Sequence, residues 1–357
     1  MAKKGDIEMV VVMDVNASES DIERVVGEVE AVGGQAFVSP GRMRTVIGLV
    51  GDTERFMELP LATLPHVDQV IRVGRPYKLV ARELHTESSV VSVGGVPIGE
   101  GTFTIIAGPC AIETPEQAIE AGAMAVDMGA HILRGDAYKH RTSPYSFQGL
   151  AKRGLEILKD MSDRYGMPTV TEVLEPADVE LVAEHADILR VGTRNMMNFP
   201  LLRECGRSGR AVMIKRGMSA TIEEWLMAAE YVAREGTSDI ILCERGIRTF
   251  ETSYRNTLDV SAVPFVKELT HLPVIIDPSH SGGRRELVAP LARAAVAVGA
   301  DAVMIDVHPN PQAALCDGPQ ALRREDITTL GEELFQIAAA VGKKPAIAAR
   351  PADKASA

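Results

Sequence analysis

Eight short apolar runs, each followed by a segment of helical length, predict a (β/α)8 TIM barrel over residues 102–342, preceded by a small ferredoxin-like α+β domain over residues 1–74. The runs recur at intervals that suit right-handed crossovers between parallel strands. The chain has 357 residues, more than the roughly 250 such a barrel needs, which leaves room for one further domain. The first stretch follows a different order, β-α-β-β-α-β, as a ferredoxin-like sandwich requires.

Residues 6–14 (DIEMVVVMD) form a β-branched run, and Ser18 then offers an N-cap with Asp21 in the first turn. The helix that follows ends at Gly33 and Gly34. QAFVS and RTVIGLVG, joined through Pro40-Gly41, a short helix over 52–63 and VDQVIRVG at 67–74 complete the domain. Residues 75–101 carry glycines, prolines and alternating apolar stretches, so a linker and a hairpin able to plug the barrel floor are expected. The barrel strands are TFTIIAG, HILRG, PTVTEV, ILRVG, AVMIK, DIILCE, PVIID and AVMID, with helices expected at 115–129, 146–165, 221–235 and 286–299 among others. Residues 343–357, rich in Ala, Pro and Lys, are expected to form a disordered tail.

A net charge of -11 argues against the basic surface that nucleic acid requires. The four cysteines (Cys110, Cys205, Cys243, Cys316) show no paired spacing, and the first residues lack the apolar core of a secretory signal, so a reducing, cytoplasmic setting is expected. No apolar run approaches the roughly 18 residues of a membrane span.

Barrel enzymes place their chemistry at the carboxyl ends of strands, so the polar residues just after each run are the candidates. They are Cys110, Arg134, Glu172, Arg194, Lys215, Arg216, Glu244, Arg245, Asp277, His280, Asp306 and His308. Arg134, Lys139, Arg141, Arg194, Lys215 and Arg245 would turn six cations toward one mouth of an acidic protein, which calls for a strongly anionic substrate carrying phosphate and carboxylate. Cys110, His280 and one or two of Asp306 and Asp317 combine soft, borderline and hard donors, a set suited to Mn, Fe or Zn acting as a Lewis acid. In LRGDAYKHRTSPYSFQG, Lys139, Arg141, Thr142 and Ser143 can grip a phosphate. His66, His85, His131, His185 and His271 read as structural, and Cys205 and Cys243 as packing.

GPCAIET, RGDAYKHRTSPYSFQG, KRG, ILCERGIRTFETSYRNTLD, DPSHSGGRRELV and ALCDG together resemble the type I 3-deoxy-D-arabino-heptulosonate 7-phosphate (DAHP) synthases that carry an N-terminal ferredoxin-like domain, over residues 6–340. The resemblance implies a metal-dependent condensation of phosphoenolpyruvate with erythrose 4-phosphate, the first step toward aromatic amino acids. It implies a divalent ion (Mn, Fe, Co or Zn) held by Cys110, His280, Asp306 and Asp317. Arg134 and Lys215 would hold the carboxylate of phosphoenolpyruvate, Arg194 and Arg245 its phosphate, and Arg141 with Thr142 the aldose phosphate. Lys139 would lie between the two substrates as a proton donor, with Glu172 or a metal-bound water as a further proton carrier. An aromatic amino acid, Tyr or Phe, would act through the N-terminal domain of a homodimer or homotetramer. The rival readings are a 3-deoxy-octulosonate 8-phosphate synthase and a catalytically silent, amino-acid-sensing subunit. Three positions depart from the family pattern: Asp306 replaces Glu, retracting the carboxylate by about 1.5 Å, Asp136 replaces Gly and His140 replaces Pro.

Overall fold

The computed structural model describes residues 7–40, 44–73, 76–83, 85, 87–141 and 143–346. The chain divides into two compact units, Met1–Pro76 and Tyr77–Ala357.

In the first unit β1 (Met9–Met13), α1 (Glu19–Ala31), β2 (Gln35–Pro40), β3 (Thr45–Val50), α2 (Thr53–Glu58) and β4 (Val67–Arg72) follow the expected order. The antiparallel sheet runs β2-β3-β1-β4, with Val11 opposite both Ile47 and Val70. Ser18 caps α1 in a reciprocal box: its side chain accepts from Asp21 N, and Asp21 Oδ2 accepts from Ser18 N at 2.9 Å. Val11, Met13, Val25, Val29, Ile47, Leu49 and Phe56 fill the space between sheet and helices.

In the second unit a hairpin, β5 (Val90–Val93) and β6 (Val96–Gly99), precedes eight parallel strands: β7 (Thr102–Gly108), β8 (Ile132–Arg134), β9 (Thr169–Val173), β10 (Ile188–Val191), β11 (Ala211–Lys215), β12 (Ile240–Glu244), β13 (Val274–Ile276) and β14 (Ala302–Asp306). Pairing of β14 with β7, from Ala302↔Thr104 to Asp306↔Gly108, closes the barrel. Around it lie α3 (Pro115–Asp127), α4 (Lys152–Tyr165), α5 (Val179–His185), α6 (Phe199–Arg207), α7 (Ile222–Ala233), α8 (Ala262–Leu269), α9 (Pro278–Gly282), α10 (Arg285–Ala297) and α11 (Arg324–Ala340).

Side-chain alternation along the strands sends Ile106, Ile132, Val170, Ile188, Met213, Ile241 and Met304 inward, where they share one apolar cluster with Val91, Val93, Val96 and Ile98 of the hairpin. The hairpin sits at the amino-terminal end, since Thr104 Oγ1 donates to Pro97 O at 2.9 Å near the start of β7. It therefore plugs the floor, and the charged side chains inside the barrel gather toward the opposite mouth.

Two boundaries differ from expectation. The helix expected from Ser146 begins at Lys152, because Gln148 and Ala151 are tied back to the chain: Lys139 N donates to Gln148 O and Ala151 N to Ala137 O. Gly149 (φ +94°) and Ala151 (φ +51°) take left-handed backbone that a right-handed helix excludes. The segment expected to be a tail from residue 343 starts as structure: β15 (Lys344–Pro345) pairs with Thr102 and Phe103, and Ala346 is buried. Among the described residues no helix is long and apolar enough to cross a membrane.

Candidate active site

Cys110 follows β7, His280 lies on α9 just past β13, and Asp317 lies in the loop after β14, so closure of the barrel brings together residues remote in sequence. Cys110 Sγ is 3.7 Å from His280 Nε2 and 3.4 Å from Asp317 Oδ2, and His280 Nε2 is 3.4 Å from Asp317 Oδ2. Metal bonds of about 2.0–2.3 Å in a tetrahedron place ligand atoms about 3.3–3.8 Å apart, so the triangle already has the dimensions of three ligands. Asp277 orients the imidazole. Its Oδ1 accepts from His280 N at 2.9 Å, capping α9, and its Oδ2 lies 2.8 Å from His280 Nδ1, at ion-pair distance though off the line of a hydrogen bond. Asp317 reaches the cluster from a left-handed backbone (φ +50°), a conformation Asp tolerates better than most residues. Burial opposes its charge, but His280, Arg255 and Lys139 hold its carboxyl well below the usual range. The Cys110 thiol is pushed up by its hydrogen bond with Cys316, 3.6 Å away, and by burial; ligation to a cation would reverse that and release a proton.

Above the apolar interior, residues at the strand ends and in the segments just after them form a layer of charge. Arg134 pairs with Asp306 and Asp136, Lys139 with Asp136, Arg190 with Asp136 and Glu172, and Lys215 with Asp277, which sets four cations against four carboxylates. Asp136 is the hub: its Oδ2 accepts from Lys139 Nζ (2.7 Å), Arg190 Nη2 (2.7 Å) and Arg134 Nη2 (3.2 Å), while Oδ1 accepts from Glu172 N. Burial alone would raise its pKa, yet Arg190, Lys139 and Arg134 drive it far below the usual carboxylate range. Lys139 is correspondingly held as an ammonium, its own desolvation outweighed by Asp136. Gly192 permits this packing, because a Cβ there would stand 1.9 Å from Glu172 Oε1.

A cavity of about 290 Å³ opens over this layer, walled by Lys139, His140, Arg141, Glu172, Arg190, Arg194, Lys215, Arg245, Arg255, His280 and Asp317. Burial lowers Lys215 despite Asp277, and lowers Arg245 to about 10. Both are desolvated cations with too little counter-charge, the condition that an anionic ligand relieves.

The model of the DAHP synthetase I family matches residues 81–342, and that of the DAHP synthase ferredoxin-like domain matches residues 9–75. The chain belongs to the DAHP synthetase I family. It is 50% identical over 336 residues to a phospho-2-dehydro-3-deoxyheptonate aldolase of Thermotoga maritima, covering 94% of this chain and 99% of that one. A crystal structure of phospho-2-dehydro-3-deoxyheptonate aldolase from Thermotoga maritima superposes with a TM-score of 0.88 at 49% identity, covering 95% of this chain and all of that one. A 2-dehydro-3-deoxyphosphooctonate aldolase of Bordetella petrii is 34% identical over 270 residues, 68% of this chain and 93% of its own length.

Within this family member, the structure gathers Cys110, Lys139, Arg141, Arg194, Lys215, Arg245, His280 and Asp317 at the mouth, with Arg134 beneath them. Thr142 lies outside the described residues. Asp306, expected as the fourth ligand, does not join the cluster: one oxygen pairs with Arg134, and the other accepts from Gln320 Nε2 at 2.6 Å and stands 3.6 Å from His280 Nδ1, the nitrogen facing away from the ligand triangle. Its short side chain leaves it behind the imidazole.

Three further candidates serve packing. Arg216 pairs with Glu244 and Asp259, and His308 lies 3.4 Å from Glu113. Of the six cations, Arg134, Lys139 and Lys215 already face carboxylates of the chain. Arg190 was missed because it sits inside the run ILRVG rather than after it; a lone charge within an otherwise apolar barrel strand was the available signal.

Proposed function

We propose that the chain condenses phosphoenolpyruvate with erythrose 4-phosphate to give DAHP and inorganic phosphate. The observation that carries this reading is the triangle of Cys110, His280 and Asp317 beside a cavity lined by the buried cations Lys215, Arg190 and Arg245. Arg134 and Lys215 hold the carboxylate of the enol phosphate, Arg194 and Arg245 its phosphate, and Arg141 with Thr142 the phosphate of the aldose. A divalent metal on Cys110, His280 and Asp317 supplies Lewis-acid polarisation of the aldehyde oxygen.

C3 of the enol forms the new bond to the aldehyde carbon, and the aldehyde oxygen takes a proton from Lys139, whose ammonium lies 3.2 Å from Cys110 Sγ. Water then adds at C2, losing one proton to Glu172; the bond from C2 to the phosphate oxygen breaks, and the hydroxyl proton passes to the departing phosphate, which leaves a keto acid and inorganic phosphate. Asp136 keeps Lys139 charged for the first step. The N-terminal unit binds an aromatic amino acid, Tyr or Phe, that restrains this activity in a cytoplasmic homo-oligomer.

The test is phosphate release from phosphoenolpyruvate with erythrose 4-phosphate or arabinose 5-phosphate, after EDTA and again after addition of Mn, Co, Fe or Zn. Turnover that needs a metal and prefers the four-carbon sugar is expected. Preference for arabinose 5-phosphate would reassign the aldose, and no turnover with any metal would leave a sensing subunit.

A further inference from the structure

We propose that Arg190 is a third donor to the carboxylate of the substrate, beside Arg134 and Lys215, and that Asp136 is the counter-charge that lets it stand inside the barrel. The inference rests on the phosphoenolpyruvate reading above.

Arg190 is central to β10 and 2% exposed, yet it lines the cavity. Nη2 is committed to Asp136 Oδ2 at 2.7 Å and Glu172 Oε2 at 3.0 Å. Nη1 and Nε are buried and have no hydrogen-bond partner among the described residues. Buried guanidinium N–H groups are rarely left unpaired, so the arrangement is complete only when an acceptor enters.

The surroundings define that acceptor. Register places Arg190 beside Glu172 on one neighbouring strand and Met213 on the other, two residues below Lys215, and Arg134 shares Asp136 with it. Arg134, Arg190 and Lys215 each keep a carboxylate of the chain but repel one another, so a neutral water would satisfy an N–H and leave that repulsion in place, whereas an anion satisfies the N–H and offsets it. A planar carboxylate offers two oxygens to such a group. Arg194 and Arg245, which take the phosphate, lie past the ends of their strands, so the deeper anion is the carboxylate.

Asp136 stands where the family pattern has Gly, and Arg190 balances its charge. Together they add no net charge, but they bring two unpaired donor nitrogens, Nε and Nη1, to the carboxylate end of the cavity.

The test titrates the full chain with phosphoenolpyruvate and, separately, with inorganic phosphate, and measures turnover apart from binding. R190Q should weaken phosphoenolpyruvate about 10- to 100-fold, the range of a charged hydrogen bond, while inorganic phosphate changes less than about twofold. R190K should recover part of the loss, and the double variant D136G/R190Q should stay weak. Unchanged phosphoenolpyruvate affinity in R190Q, an equal loss for both ligands, or return of wild-type affinity in the double variant would overturn the proposal; the last would mean that Arg190 only balances Asp136. If R190Q does not fold, the double variant, in which the buried pair leaves together, is read against wild type by the same criteria. Absence of turnover with either sugar, alongside selective loss of phosphoenolpyruvate binding in R190Q, would overturn the reaction and still support this role for Arg190.

Discussion

Substituting Asp306 by Asn separates the two roles open to this residue, metal ligand and partner of Arg134. Asp306 and Arg134 are both fully buried and paired with each other, and Arg134 keeps a second carboxylate, Asp136, at 3.2 Å. Removing one member of a buried pair costs about 3–5 kcal/mol, and the surviving partner puts D306N at the lower end, about 3 kcal/mol. At about 2 °C per kcal/mol for a unit of this size, the melting temperature should fall by about 6 °C. Metal affinity should fall only about tenfold, as for groups that act through a ligand, because Asp306 faces Nδ1 of His280 rather than the triangle. D317N, which removes a member of the triangle, should lose more than about 100-fold. The assays are thermal unfolding by circular dichroism without metal and titration with Mn or Zn. An unchanged melting temperature together with metal binding lost as completely as in D317N would refute the geometry assigned to Asp306.

Three other outcomes are expected. Asp136, Asp277 and Asp317 all have folded pKa values held below the ordinary value near 4, so the stability they contribute is present above about pH 4 and is lost as pH falls below it; urea midpoints that stay constant from pH 7 to pH 3 would contradict this. Burial pushes the Cys205 and Cys243 thiols up to about 12, so mass spectrometry after iodoacetamide treatment at pH 8 should find both unmodified in the folded chain and alkylated in urea. A chain beginning at Tyr77, the start of the second unit, should retain turnover and lose its response to Tyr or Phe; an identical inhibitor response in both forms would remove the effector role from the first unit.

The barrel and the preceding domain were legible because their signals are local. Each strand is a short, mostly apolar run with turn residues near its ends, and the Ser18–Asp21 cap lies within four positions. Cys110 and His280 could be picked out for the same reason, each lying just beyond a strand. The start of α4 was misplaced because positive φ at Gly149 and Ala151 depends on hydrogen bonds to Ala137 and Lys139, which the composition of the loop does not encode.

By itself, the sequence picked out several of the residues that line the mouth, among them Lys139, Arg141, Arg194, Lys215, Arg245 and His280, because they lie at or just past the ends of barrel strands. Only the tertiary structure decided which of them face one another. Arg134 meets Asp306 across 172 positions and Lys215 meets Asp277 across 62, and both pairings depend on barrel closure. Closure turned three apparent substrate cations into members of a balanced layer and set Asp306 behind His280. It also exposed Arg190, whose charge in β10 makes sense only with Asp136 and Glu172 beside it. The physical reason is that periodicity reports which way a side chain points, whereas the energy of a buried charge depends on partners that the fold alone brings within hydrogen-bond reach.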